Sequence, residues 1–274
     1  LDSIWSLATG GLALLVYLFT LSPGVFPGAS ASLMATYTGL EPLVAPAHPL
    51  WGTLVGWLAG TPIQAFRLNL FSALCGVAAV VLMYKLISGL VYRLIQPEVG
   101  QESQAVVAAV LGGALAAVAL AFSVPFWMVA TRLHFQSFDL LFLLLLLHLF
   151  VWFFTSDKLV AGLLVALLCG VSLVESIIAL PLLPILLFLA VYADYRQDRI
   201  RIGRLTLFGL AGLLGLSLFL IVAYHFCQTE DLTLRGYEGY FDVLRTMVAD
   251  QIRAARQAVR QHQLGGFLVI LPWL

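Results

Sequence analysis

Charge is what this sequence has least of. Asp, Glu, Lys and Arg make up 10% of its 274 residues, against about a quarter in an ordinary soluble domain. So few charges cannot cover a water-facing surface, which excludes a soluble globular fold. The 14 basic and 14 acidic residues cancel, so nothing attracts a polyanion and no nucleic-acid partner is expected. Cysteine is scarce as well. Cys75, Cys169 and Cys227 lie in or beside apolar runs without a Cys-x-x-Cys or a metal spacing. They read as small core residues and argue against a disulfide framework. A basic segment before the first apolar run is also missing, and that run is too long and even for a cleaved signal peptide.

What remains is apolar: 62% of residues are hydrophobic and the mean hydropathy is +1.02. The solvent that suits such a chain is lipid, and its length allows about seven or eight spans at roughly 20 residues each. The expected fold is all-α, a polytopic transmembrane helical bundle with one amphipathic extramembrane helix. The first span covers about residues 4–21. The loop at 22–60 carries Pro23, Pro27, Pro42, Pro46 and Pro49, which forbid one continuous helix. Short helices are expected in it near 32–38 and 50–58. Thr61-Pro62-Ile63-Gln64 supplies a cap, a first-turn proline and a capping-box partner for a helix reaching about Ile95. Further spans fall near 104–122, 137–154, 159–173, 176–191 and 205–226. Glycines 112, 113, 209, 212 and 215 within them read as points of close helix packing.

Domain organisation follows from these runs. Residues 1–227 form the bundle, with 22–60 as its first outer loop, and 228–264 form a soluble-looking segment. Residues 265–274 read as the start of another span, so a longer protein is expected. The Arg-rich 195–204 loop places the cytoplasm, with Lys85, Arg93 and Lys158 on the same side. Loops 22–60, 123–136 and 228–264 then lie on the periplasmic or lumenal side. The bias fits a bacterial inner membrane and an endoplasmic reticulum alike, and the bacterial inner membrane is the preferred expectation. Within 240–262, Phe241, Leu244, Met247, Val248, Ile252, Ala255 and Val259 recur at helical steps. Arg245, Arg253, Arg256 and Arg260 lie off that stripe. Such a helix lies flat on its own membrane domain or on the interface; the alternative is an arginine face that binds an anionic lipid head group or a pyrophosphate.

Polar residues in or near a membrane are costly, so each is a candidate for function. On the outer side these are Glu41, His48, Arg67, Asn69, Arg132, His134, Asp139 and Glu175. Carboxylate, imidazole and guanidinium on one face would suit a lipid-linked phosphate. Each also has a structural reading: Asp139 pairing with Arg132, Glu175 closing a turn between spans, Asn69 bonding a neighbouring helix. His148, within a span, reads as a neutral histidine bonded across helices. Pro181 and Pro184 would break a span as in transporters, but no inverted repeat accompanies them. His148 or His225 as a pigment or haem ligand lacks a paired spacing.

Several pieces carry a resemblance. They are Leu21-Ser22-Pro23-Gly24-Val25, Ala47-His48-Pro49-Leu50-Trp51, Arg67-Leu68-Asn69-Leu70-Phe71-Ser72-Ala73-Leu74 and Phe126-Trp127-Met128-Val129-Ala130. Together, over about residues 20–140, they resemble the protein O-mannosyltransferase-like membrane family of GT-C glycosyltransferase architecture. The Arg-x-Asn-Leu-Phe-Ser-Ala piece is the most specific. The resemblance implies a GT-C-like enzyme that takes a sugar from a polyprenyl-phosphate donor and passes it to a protein or lipid acceptor on the outer face. In that family an acidic residue of the first outer loop acts as base or orients the acceptor, in some members with a metal. A base there makes chemical sense, because the acceptor hydroxyl must lose its proton as it attacks the sugar carbon.

The sequence departs from the family pattern at that point. Where the family has Asp-Ser-Gly-Glu, this chain has Ala29-Ser30-Ala31-Ser32, and His-Pro-Pro-Gly shrinks to His48-Pro49-Leu50. A family Glu-x-Tyr appears as His134-Phe135-Gln136. Alanine and serine supply neither a carboxylate base nor the acid a metal would need, so no divalent metal and no other cofactor is expected beyond a lipid-linked sugar donor. Glu41 is then the candidate catalytic base, with His48, Arg67, Asn69, Arg132 and His134 as candidate substrate-binding residues. The alternative is a catalytically degenerate structural or accessory subunit of a membrane complex. The expected partners are membrane lipids, together with a polyprenyl-phosphate sugar or other membrane subunits.

Overall fold

The computed structural model describes residues 2–41, 48–60, 63–95, 102–156, 158–175, 184, 187–188, 191–192, 202–229 and 236–261, the last without the side chains of 254–255 and 257–261. Among the described residues every regular element is helical. In chain order these are α1 (Asp2–Thr20), α2 (Ala29–Tyr37), α3 (Pro49–Ala59), α4 (Ala65–Ile95), α5 (Glu102–Phe122), α6 (Val124–Ala130), α7 (Phe135–Ser156), α8 (Leu159–Glu175), α9 (Ile202–Leu216), α10 (Leu218–Thr229) and α11 (Tyr240–Gln261). Among the described residues five segments are long and apolar enough to cross a membrane: α1, α4, α5, α7 and the run Ile202–Gln228 that holds α9 and α10. The chain is an all-α polytopic membrane protein. Most of the expected span at 176–191, most of the Arg-rich loop and all of the final run at 265–274 lie outside the described residues, as do Thr61 and Pro62.

The chain divides into two compact units, 1–42 with 53–148 and 43–52 with 149–274. In the first, α4 is the central post. Its 31 residues extend about 46 Å at 1.5 Å per residue, well beyond a hydrocarbon core of roughly 30 Å. One stripe of α5 is built from small residues four apart, Ala105, Ala109, Gly113, Ala117 and Ala121, all buried. Its bulky residues Val107, Leu111, Leu115 and Val118 are exposed. This is the inverse of a water-soluble helix, and it follows from the solvent. Lipid gives no reason to hide leucine, so small residues take the contact face and let backbones approach. A Cβ on Gly113 would sit 2.9 Å from the Tyr84 carbonyl oxygen of α4. On α1 the same logic turns Gly10, Ala13 and Tyr17 inward, and the Tyr17 hydroxyl donates to the Ala121 carbonyl at 3.0 Å.

Residues 123–130, expected as an outer turn, form the short helix α6. Ser123 is extended (φ −63°, ψ 126°), Pro125 occupies the first turn, where its missing N–H costs nothing, and the Trp127 N–H donates to the Ser123 carbonyl at 2.9 Å.

In the second unit, α8 and α9 touch backbone to backbone. A Cβ on Gly170 would collide with the Gly212 carbonyl oxygen, and one on Gly215 with the Leu167 carbonyl oxygen. The hydropathy run at 205–226, expected as one span, lies within one candidate span, Ile202–Gln228, with a local irregularity at Ser217 between α9 and α10. The Ser217 hydroxyl donates to the Leu214 carbonyl at 2.6 Å, a local bond that competes with the helix ladder.

Alanine should separate the glycines by position. Gly113→Ala and Gly215→Ala should each cost about 1–3 kcal/mol, because the neighbour is backbone that cannot yield. Gly209→Ala meets nothing within 4 Å and should leave stability unchanged. Melting temperatures of the purified protein in detergent check this; equal melting of all three would contradict the close contacts.

Candidate functional site

The segment Arg67–Ala73 forms the first turns of α4. Leu68, Asn69, Ser72 and Ala73 face inward and Arg67 is exposed, as a helix with one inward face requires. Asn69 is fully buried, at 0% exposure, and each polar atom of its side chain is engaged. Its amide nitrogen donates to the carbonyls of Ser22 (2.8 Å) and Gly24 (3.0 Å). Its amide oxygen accepts the Leu133 N–H at 2.8 Å. One turn on, the Ser72 hydroxyl oxygen accepts the His134 N–H at 3.2 Å. The Ser22 N–H donates directly to the Thr131 carbonyl at 3.2 Å. One helix end thus holds two non-helical strips, 21–25 and 131–134, at the same end of the bundle. Irregular backbone near lipid persists only when its polar groups are satisfied from within.

The loop after α1 continues from this clamp into α2. Gly28 (φ 93°) precedes the helix without a side-chain cap; its carbonyl accepts the N–H groups of Ala31 (3.0 Å) and Ser32 (3.3 Å). Ala29-Ser30-Ala31-Ser32 is therefore the opening turn of α2, and of the four only Ser30 is buried. The helix ends on Thr38 and Gly39, whose φ of 80° turns the chain back, and the N–H groups of Leu40 and Glu41 both donate to the Ala35 carbonyl at 2.9 Å. Glu41 is held by its backbone with its side chain exposed.

Two cations belong to the same end of this unit. The half-buried Arg132 guanidinium lies 3.3 Å from the Phe26 ring centroid, a cation–π contact joining the turn after α6 to the first loop. Arg67 is exposed on α4. His134 is half-buried, and its Nδ1 accepts the Gln136 N–H at 3.3 Å, so the proton of the neutral ring sits on Nε2. Burial lowers its pKa from the usual 6.5, because the charged ring would lose its hydration.

His48 falls in the second unit, beside Glu175. Glu175 ends α8 at 1% exposure, and its two carboxylate oxygens accept the N–H groups of Leu50 (2.7 Å) and Trp51 (2.9 Å). These are orphan donors in the first turn of α3, after Pro49 at the first helical position. A carboxylate from a distant helix therefore serves as the N-terminal cap of α3, favoured by the helix dipole. A His48 ring nitrogen lies within 4.8 Å of a Glu175 oxygen, and the ring packs edge-on to Trp51 at 6.5 Å.

Of the six residues expected to form the site, Asn69, Arg132 and His134 thus belong to the clamped end of the first unit, Arg67 projects from it, Glu41 lies at the end of α2, and His48 is held with Glu175. Ser72 and Phe26 were not singled out by sequence. Ser72 sits three residues from Asn69 in the same motif, which is the signal that could have found it; nothing in sequence ties Phe26 to Arg132.

A family model described as the protein O-mannosyl-transferase TMEM260 N-terminal domain matches residues 42–199, more than half of the chain and including the Arg67–Leu74 and Phe126–Ala130 pieces. No curated protein and no solved structure matches.

Asn69→Leu should be severely destabilising. It strands two carbonyls and one N–H in a buried setting, at about 1–3 kcal/mol for each group left unmet, and a fall in melting temperature far larger than for exposed Arg67→Ala would register it. His134 should give acid sensitivity. Its folded pKa lies below the unfolded value, so its contribution is fully present above pH 6.5 and is lost as pH falls through the folded value. Melting temperature followed against pH should decline less on the acid side in His134→Gln; unchanged curves would show that His134 is not the group responsible.

Proposed function

The chain belongs to the family of the protein O-mannosyl-transferase TMEM260 N-terminal domain, and on that premise we propose that it is a glycosyltransferase-like membrane protein that moves a sugar from a polyprenyl-phosphate donor to a hydroxyl of a protein or lipid on the outer face. One observation supports the reading: the Asn69 clamp ties Ser22 and Gly24, at the start of the loop that leads to Glu41, and Leu133, between Arg132 and His134, to the end of α4 that bears Arg67. In the proposed step the acceptor oxygen attacks the anomeric carbon of the sugar. Its proton passes to the Glu41 carboxylate as general base. The bond from that carbon to the phosphate oxygen breaks, and its electron pair stays on the polyprenyl phosphate. Arg67 and Arg132 are suited to meet that anion, since guanidinium binds phosphate through paired N–H donors. Asn69 acts as a positioning residue, because its polar atoms are committed to the backbone.

A second reading has its own support. Ala29–Ser32 supplies no carboxylate in the opening turn of α2, so the scaffold also fits an accessory subunit that keeps the fold without the chemistry.

Incubating the purified protein with radiolabelled polyprenyl-phosphate mannose and an acceptor peptide separates the two. The transferase reading expects transfer, and Glu41→Gln should reduce it by about 100-fold or more, the usual weight of a general base. Transfer that survives Glu41→Gln removes Glu41 as base. No transfer by the unaltered protein, with partner chains co-purifying in fixed ratio, establishes the accessory subunit.

A further inference from the structure

We propose that α11 is an interfacial anchor whose uncovered face takes up anionic phospholipid at the membrane surface. The helix carries two apolar strips. On one, Val243 and Met247 are buried against Ala223 and Phe226 of α10, and the Tyr240 hydroxyl donates to the Leu220 carbonyl at 3.2 Å. On the other, Phe241, Val248 and Ile252 lie in line at steps of seven and four residues. They are 81%, 41% and 47% exposed. A helix that needed only to pack on its own unit would not carry the second strip.

What covers that strip follows from its neighbours and its place. Arg245 and Arg256, both exposed, project beside it at three- and four-residue steps from Phe241, Val248 and Ile252, while Arg253 is ion-paired with Asp250 at 2.5 Å. Residues 240–256 hold three arginines against Asp242 and Asp250, one positive charge in excess. Apolar side chains bordered by arginine are the pattern of a helix lying in the headgroup layer, the arginine stems flat on the apolar boundary and their heads at phosphate level. The partner helix fixes the height. α10 closes the apolar segment Ile202–Gln228, and α11 packs against the final turns of that segment, where a span leaves the hydrocarbon. Anionic phospholipid is the occupant that satisfies both the apolar strip and its cationic border. This inference is independent of any transferase activity.

The test uses the full chain in nanodiscs of phosphatidylcholine mixed with phosphatidylglycerol, with the photocrosslinker p-benzoylphenylalanine introduced at Phe241. Mass spectrometry should find lipid adducts enriched in phosphatidylglycerol above its share of the bilayer. The same probe at Leu244, on the packed side, should crosslink within the protein. The enrichment should be lost in the Arg245→Gln, Arg256→Gln variant, and it should also fall in high salt with the unaltered arginines, which screens the attraction without touching the fold. Adducts to protein alone at Phe241 would overturn the proposal. So would lipid adducts that mirror the bulk composition and ignore both salt and the arginines.

Discussion

Three hydrogen bonds from one buried amide hold one end of the first unit together. Asn69 joins α4 to the backbone of Ser22, Gly24 and Leu133, and without it two stretches of irregular chain would carry unmet donors and acceptors beside lipid. In water such groups turn to solvent at little cost; next to hydrocarbon each must be met by the protein. An amide suits the task because it offers two donors and an acceptor in one rigid plane. It can therefore bind two carbonyls of one strip and an N–H of the other, which neither a hydroxyl nor a carboxylate could do.

Glu175 solves a related problem in the second unit by other means. The first turn of any helix leaves N–H groups without partners. At α3 they are met by a carboxylate brought from the end of α8. Its burial, at 1% exposure, is tolerable because both oxygens accept N–H groups and the helix terminus favours negative charge. The two devices share a principle: a remote polar side chain satisfies backbone that secondary structure leaves unmet, and in doing so ties distant parts of the chain.

Much of the fold was legible in sequence because hydropathy alone decides where a membrane chain can be helical. The ends of α4 at Ile95, of α5 at Phe122 and the starts of α8 at Leu159 and of α11 at Tyr240 coincide with the limits of apolar or amphipathic runs. Elements that hydropathy cannot register were missed. Val124–Ala130 is too short to show a period, and the irregularity at Ser217 lies inside a span whose hydropathy is continuous. The site was less legible for a different reason. Asn69 and Ser72 stand in a recognisable motif, but their partners are backbone atoms, which carry no residue identity, and Glu175 answers to Leu50 and Trp51 across 125 and 124 positions. A list of polar residues read from sequence does not say which of them hold the scaffold.

That distinction bears on the missing acids of the first loop. The opening turn of α2 rests on the Gly28 carbonyl and uses no side-chain cap, and the loop before it is fixed by Asn69 through main-chain oxygens. Of residues 29–32, only Ser30 is packed away. The start of α2 uses no side-chain cap, so the loop folds here without a carboxylate at residues 29–32. A loop fastened through its backbone can lose or relocate its carboxylate without unfolding. Glu41, which the turn at Gly39 brings back against the end of α2 while leaving its side chain in the open, lies on that same fastened loop. The constraint on this end of the unit is therefore the amide at Asn69, whose three bonds hold both strips, whereas the exposed Glu41 side chain is no part of what holds the loop.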